Sequence, residues 1–115
     1  MNRYSETELH ELTYRVCLAS VKQSFPHIPL ASIIDPPHRE PDAVLARQIA
    51  MHLMVGRFGL AKKRVGKLVG RESGAIGRAV ETVDRRLDEP EFEAQYWIMA
   101  DRAVAMFDDK LREAA

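Results

Sequence analysis

Several features that stabilise, anchor or export small proteins are almost missing from this sequence. Cys17 is the one cysteine among 115 residues, so no intramolecular disulfide can form, and its apolar neighbours favour a small buried hydrophobe in a reducing compartment. No apolar run approaches the roughly 18 residues of a membrane span, and the amino terminus is acidic where a signal peptide needs an apolar core. These absences predict one soluble, cytoplasmic domain over 1–115 without a membrane partner.

Residues that hold metals or nucleotides, or that carry out catalysis, are also missing as groups. The four histidines have no metal-ligand spacing and are His10, His27, His38 and His52. The six glycines do not form the phosphate-binding loop of a nucleotide site, and no grouping of Ser, His and Asp indicates a nucleophile. We therefore expect no metal, no cofactor, no nucleotide partner and no enzymatic activity.

Net charge is zero, from 17 basic and 17 acidic residues, and on its own this argues against a nucleic-acid partner. The charges are segregated along the chain, however. Residues 43–71 contain seven Lys or Arg and no acid, whereas residues 88–113 contain eight acids and three bases. Such a basic segment attracts polyanions, and the acidic flank discourages loose contacts with DNA. Two solvated helix faces explain the same segregation, so charge alone leaves both interpretations open.

Apolar spacing predicts an all-α domain of five helices, without strand-like alternation. The first helix covers 6–24, where Ser5 stands three positions before Glu8 as in a capping box. Five prolines between 26 and 41 then predict an extended connector, with no more than a turn at 30–34. Asp42 is expected to cap the helix that follows.

Four further helices are predicted from stripes of apolar residues, at 43–58, 61–69, 72–88 and 91–112. Gly59 and Gly70 mark the ends of the first two. A short helix, a glycine turn and a longer helix form the helix-turn-helix pattern, whose second helix recognises DNA. The last helix has more bulky apolar residues than one stripe can bury, which leaves Trp97 and Phe107 as a candidate partner surface.

The block Ala-Arg-Gln-Ile-Ala-Met-His-Leu at 46–53 is followed by Val65-Gly66, by Gly70-Arg71-Glu72 and by Ala79-Val80. Together these residues resemble the carboxy-terminal DNA-binding domain of the bacterial replication initiator DnaA, over roughly residues 10–87. In that family an Arg-Gln-Ile-Ala-Met stretch opens the helix before the helix-turn-helix. The resemblance implies a helix-turn-helix of the Trp-repressor type, here with an additional carboxy-terminal helix and without the ATPase domain of an initiator.

Contacts to DNA phosphates are expected from two sources. The resemblance implies that Arg47 and Gln48 grip phosphates and that the start of helix 72–88 enters the major groove. The basic helix 61–69 adds cations ahead of the turn, and such side chains gain affinity by displacing counterions condensed on DNA. The candidates for phosphate binding are Arg47, Gln48, Lys62, Lys63, Lys67 and Arg71.

Base reading is expected from the front of helix 72–88. The candidates are Ser73, Gly74 and Arg78. Arg78 can make a bidentate contact to guanine, worth roughly 1–3 kcal/mol of discrimination, or it can pair with Glu72 or Glu81. Glu72 itself can accept from a cytosine amino group or cap the helix. Gly74 and Gly77 each cost the helix roughly 0.8–1 kcal/mol relative to alanine, which close approach to DNA or tight helix packing would explain.

The sequence departs from the initiator family at two places. The basic loop of the family corresponds to 35–42, where Arg39 is the one basic residue besides His38. The base-reading Asp-His-Thr-Thr of the family is replaced by Glu-Ser-Gly-Ala at 72–75. Neither the minor-groove contact nor the origin-box specificity of the family is therefore expected.

A second, weaker resemblance is to the DnaA-like activators of phage-derived gene transfer agents in alphaproteobacteria, in size, altered recognition helix and additional last helix. The leading hypothesis is a nucleoid-associated transcriptional regulator, an activator of phage-derived genes, that binds double-stranded DNA. Its last helix would contact RNA polymerase or another DNA-binding protein. The alternatives are a protein-interaction adaptor that has lost base reading and a phage-type DNA packaging recognition subunit.

Overall fold

A computed structural model describes residues 4–114, which form helices, turns and bends and no strand. The α-helices are α1 (Glu6–Ser24), α2 (Leu30–Ile34), α3 (Pro41–His52), α4 (Lys62–Val69), α5 (Ser73–Arg86) and α6 (Pro90–Ala114). A π-helical turn at Leu53–Arg57 continues α3. The all-α class is confirmed, with six helices in place of five. Among the described helices, none has both the length and the apolar character needed to cross a membrane.

The first helix begins at the capping box that its sequence predicts. The hydroxyl of Ser5 accepts a hydrogen bond from the amide of Glu8 at 3.2 Å, and the Ser5 amide donates to the Glu8 carboxylate at 3.3 Å. These two bonds satisfy amide groups that the first turn otherwise leaves without acceptors. α1 ends at Ser24, as expected from the proline that follows at 26.

The connector after α1 differs from its prediction, because it contains the sixth helix. α2 is a five-residue helix whose Ile33 is fully buried, so a single apolar anchor holds it against its neighbours. α3 begins at Pro41 rather than after Asp42, since proline suits the first helical position, where no amide hydrogen is needed. Asp42 therefore lies inside the first turn, 3.6 Å from His27, and does not cap the helix.

The helix expected at 43–58 is interrupted by a widened turn. The amide of Phe58 donates to the carbonyl of Leu53, five residues earlier, at 3.1 Å. In this geometry Leu53 and Met54 are both fully buried. An apolar stripe does not reveal a single π-helical turn, because the spacing changes over only one turn. Gly59 then ends the element with a φ of 70°, as its position predicts.

A close approach of the chain to itself fixes the turn between α4 and α5. Gly70 has a left-handed φ of 72° at the end of α4. The Arg71 amide donates to the carbonyl of Gly66 at 2.9 Å, and a Cβ atom at Gly66 would lie 2.5 Å from the Arg71 carbonyl oxygen. Only glycine fits at 66, so this residue determines how closely the start of α5 approaches α4.

The last helix lies along α1 and is held there by hydrogen bonds that the sequence did not indicate. Ser20 donates to the carbonyl of Met99 at 2.6 Å. Arg102 donates to the carbonyl of Ser20 at 2.6 Å and to the hydroxyl of Ser24 at 3.0 Å. α6 therefore covers α1, and the amino-terminal part of α5 stays exposed.

Candidate nucleic-acid interface

A cleft of about 300 Å³ lies between α3 and α5. Four of the residues that the sequence predicts to contact DNA line it, namely Arg47, Gln48, Arg71 and Arg78. Asp35 is the one acidic residue in its lining, and Val44 and Met51 contribute apolar surface. The arginines of α3 and of the helix-turn-helix thus face a common space.

A shallower depression of about 760 Å³ lies between α4 and the start of α5. It is lined by Lys63, Gly66, Lys67, Gly70, Arg71, Glu72, Ser73 and Gly74. Arg71 lines both this depression and the cleft. The depression and the cleft therefore form one continuous surface. Lys62 lies next to it, with its ammonium 3.9 Å from the place of a Cβ on Gly77. We call this surface the cationic face, consisting of Arg47, Lys62, Lys63, Lys67, Arg71 and Arg78.

The charges of the cationic face are not neutralised within the protein. In residues 4–114 none of its six cations forms an ion pair with an acid. On α6, in contrast, Lys110 pairs with Glu113 and Arg112 pairs with Asp109. The cationic face is therefore left as an anion-attracting surface.

Arg47 has a structural contact as well as a place in the cleft. Its guanidinium donates to the carbonyl of Val69 at 3.2 Å, near the carboxy-terminal end of α4. Burial lowers the pKa of Arg47, the neighbouring Arg71 lowers it further, and Tyr14 and Asp35 act in the opposite direction. Two guanidinium groups that repel each other at the mouth of a cleft are stabilised by an anion between them.

Arg78 forms neither of the ion pairs that its sequence neighbours allow. Its guanidinium lies instead over Gly74, where the nearest nitrogen is 3.5 Å from the position of an added Cβ. Glu72 is the residue before α5, but its side chain makes no capping hydrogen bond. Glu72 therefore occupies the N-cap position without a capping hydrogen bond from its side chain, and Arg78 is exposed at the front of α5.

The glycines at the front of α5 are not required by packing. An added Cβ at Gly77 would meet only the end of the Lys62 side chain, at 3.9 Å and 4.0 Å. At Gly74 it would meet only the flexible end of Arg78. At both glycines the distances correspond to ordinary van der Waals contacts with long side chains. Tight packing against a neighbouring helix therefore does not explain these two glycines.

A buried polar group that the sequence analysis missed connects α5 with α3 and α6. The two ring nitrogens of His52 each form a hydrogen bond of 2.6 Å, one with the Tyr96 hydroxyl and one with the Asp84 carboxylate. Burial raises the pKa of Tyr96, nearby Cys17 and Asp84 add to this effect, and Arg57 opposes it. The partners lie 44 and 32 residues from His52, so no local pattern could have indicated the group.

Of the two residues predicted to form a partner surface on α6, Trp97 is exposed and Phe107 is partly buried. Trp97 is 46% exposed, and the next residue, Ile98, is 49% exposed. The Arg57 guanidinium lies 5.7 Å from the centre of the Trp97 ring. Phe107 is half-buried and packs edge-to-face on Phe58, with ring centres 5.3 Å apart. Phe107 therefore serves the fold, and Ile98 takes its place beside Trp97.

Comparison with protein-family models, with curated proteins and with solved structures gives no match for this chain. The resemblance to the initiator domain therefore rests on its sequence motifs alone. Within the described residues, no three His, Cys, Asp or Glu side chains gather as metal ligands do.

Proposed function

We propose that this protein binds double-stranded DNA, with the front of α5 and its Arg78 in the major groove and the other five cations of the cationic face against the phosphates, and that it regulates transcription. The observation that carries the proposal is the set of six cations without an acidic partner in residues 4–114. Lysine and arginine side chains placed against phosphates release condensed counterions, which gives affinity without sequence selectivity.

The exposed front of α5 supports base reading in addition. An α-helix fits into the major groove, where each base pair presents its own pattern of donors, acceptors and methyl groups. Ser73, Gly74 and Arg78 are all exposed on the first two turns of α5. An arginine in this position has the two parallel donors that guanine accepts in the major groove. Of the open alternatives, guanine recognition is the one that the unpaired Arg78 favours.

The glycines of α5 support the same orientation. A glycine inside a helix costs about 1 kcal/mol relative to alanine, and packing within the protein does not account for Gly77. Without a side chain at this position, the helix backbone can come closer to a ligand by roughly the depth of one methyl group. Close approach to DNA is the remaining explanation.

A salt titration of duplex binding tests the proposal. Fluorescence anisotropy with a short duplex of mixed sequence gives the slope of log K against log salt, which falls by about 0.9 for each phosphate contact removed. Lys67→Gln and Arg71→Gln should each flatten the slope by that amount. Arg15→Gln is the matched control, because Arg15 is an exposed arginine that lines a depression between α1 and α6. Absence of binding at low salt, or slopes equal to that of the control, would refute the proposal.

Selection from a randomised duplex pool tests base reading separately. Wild type should enrich a motif that contains guanine, and Arg78→Ala should lose the preference at one position while keeping its salt slope.

Activation of phage-derived genes and association with the nucleoid are proposed from the resemblance alone. Genome-wide occupancy mapping tests both, and occupancy without promoter enrichment speaks against a regulator.

A protein-interaction adaptor is the second candidate function, and the exposed Trp97 and Ile98 favour it. Trp97 and Ile98 are the two most exposed large apolar residues in the described part of the chain, and exposed apolar patches mark contacts with other proteins. An adaptor would bind its partner through α6 and have no affinity for duplex DNA. Duplex binding therefore decides between an adaptor and a DNA-binding regulator, whose α6 could still contact RNA polymerase or another DNA-binding protein.

A further inference from the structure

A third depression, of about 460 Å³, lies on the other side of α4, where this helix faces α1. It is lined by Glu6, His10, Gly59, Leu60, Ala61, Lys63, Arg64 and Lys67. We call it the α1–α4 depression. Lys63 and Lys67 also line the depression beside α5, so these two lysines form a ridge between them. Arg64 is a further cation, beyond the six of the cationic face.

The charge balance of the α1–α4 depression is positive. Three cations line it against the single carboxylate of Glu6. Arg64 forms no ion pair in the described part of the chain, and the Glu6 carboxylate lies 3.9 Å from Nε2 of His10. His10 is mostly enclosed, and its Nδ1 is a buried polar atom without a hydrogen-bond partner. The anion-binding capacity of this space comes from Lys63, Arg64 and Lys67, whose positive charge exceeds that of the one carboxylate.

The local helix does not by itself favour these cations. The amino-terminal turn of a helix is stabilised by negative charge and destabilised by positive charge. α4 has three successive cations there, at 62–64, with no acid in the turn and no side-chain cap from Ala61. The arrangement costs stability in the isolated protein, and an anion bound between α4 and α1 would remove that cost.

We propose that a phosphate of the DNA backbone occupies the α1–α4 depression, so that the DNA contact extends across the Lys63 and Lys67 ridge to the amino-terminal helix. The inference rests on the proposed function. A backbone that passes the cationic face reaches this depression by crossing the ridge, because the two lysines line both spaces. Arg64 contacts the phosphate, and Glu6 opposes it.

Two substitutions of opposite sign test the inference by fluorescence anisotropy with a mixed-sequence duplex. Arg64→Gln should weaken binding and flatten the salt slope by about 0.9. Glu6→Gln should tighten binding by about twofold at low salt, because a like charge near the phosphate is removed. A gain of affinity does not arise from damage to the fold, so the second variant remains decisive if the first is unstable.

The matched controls are Arg15→Gln and Glu11→Gln, which change the same charges at exposed positions of α1 outside the depression. The inference is overturned if Arg64→Gln matches Arg15→Gln in slope and Glu6→Gln matches Glu11→Gln in affinity. If Arg71→Gln still flattens the slope in that case, DNA binding by the cationic face stands and only the extension to α1 fails. If no duplex binds at low salt, both proposals fail.

Discussion

Replacing Gly77 with alanine should stabilise the protein and weaken its binding to DNA. Gly77 lies within α5, away from both helix ends, so alanine should raise the free energy of unfolding by about 0.8–1 kcal/mol. The gain is not offset by a clash, since an added Cβ lies 3.9 Å from its nearest neighbour, the Lys62 ammonium. For a chain of this size the melting temperature should rise by about 3–4 °C.

The effect on DNA binding should have the opposite sign. If the backbone of α5 packs against DNA at Gly77, an added methyl group overfills the contact, and overpacking costs about 1–3 kcal/mol. The dissociation constant should then rise at least about fivefold. The salt slope should not change, because no charge is altered. Thermal unfolding and anisotropy on the same preparation give all three quantities.

Two results would refute this reasoning. A destabilised Gly77→Ala protein would mean that the glycine serves packing after all. A stabilised protein that binds duplex as well as wild type would mean that DNA does not approach α5 at this position. The first result contradicts the interior geometry of the helix, and the second contradicts the docking proposed for its front.

Three further predictions concern the packing of the helices. Gly66→Ala should destabilise the protein by more than about 1 kcal/mol in denaturant unfolding, because its Cβ would lie 2.5 Å from a backbone oxygen; wild-type stability would contradict this. Asp84→Ala should cost about 1–3 kcal/mol by leaving a nitrogen of buried His52 without its partner, whereas Asp88→Ala, at an exposed acid, should be nearly neutral. Burial raises the pKa of Cys17, so a thiol reagent should modify it only as fast as the protein unfolds, and rapid labelling of the native protein would argue against its burial.

The parts of the fold that sequence predicts well are those that depend on neighbours along the chain. The Ser5 capping box, the glycine ends of two helices and the helix-turn-helix order all follow from short spacings. The sequence does not predict α2, because a five-residue helix with one buried isoleucine gives no measurable periodicity. It places the start of α3 after Asp42 rather than at Pro41, because proline can both end a connector and start a helix. The interactions of His52 and Arg102 link residues far apart in sequence, and single-chain patterns do not report on such pairs.

The candidate site shows the same division. Clustered cations on 61–71 are visible in the sequence, as is the break at Gly70. Arg47 reaches the end of α4 and lines the cleft together with Arg71. This placement depends on how α3 packs beside the turn, and no spacing within α3 reveals it. The choice between packing and ligand approach for Gly77 likewise depends on what lies next to its missing side chain, which the sequence does not show.

Stability and charge are distributed unequally between the two sides of this molecule. Along α1 and α6, arginine and serine side chains donate to backbone carbonyls, and cations near the end of α6 have acidic partners. On the cationic face, like charges lie side by side, and Gly77 weakens α5, the helix that carries Arg78. The like charges destabilise the unbound protein, and a polyanion that neutralises them relieves this repulsion. The cost of the glycine remains, and contact between DNA and α5 would offset it. DNA should therefore raise the unfolding temperature of wild type by more than it raises that of Gly77→Ala, because the variant binds DNA more weakly and stabilisation by a ligand falls as the dissociation constant rises.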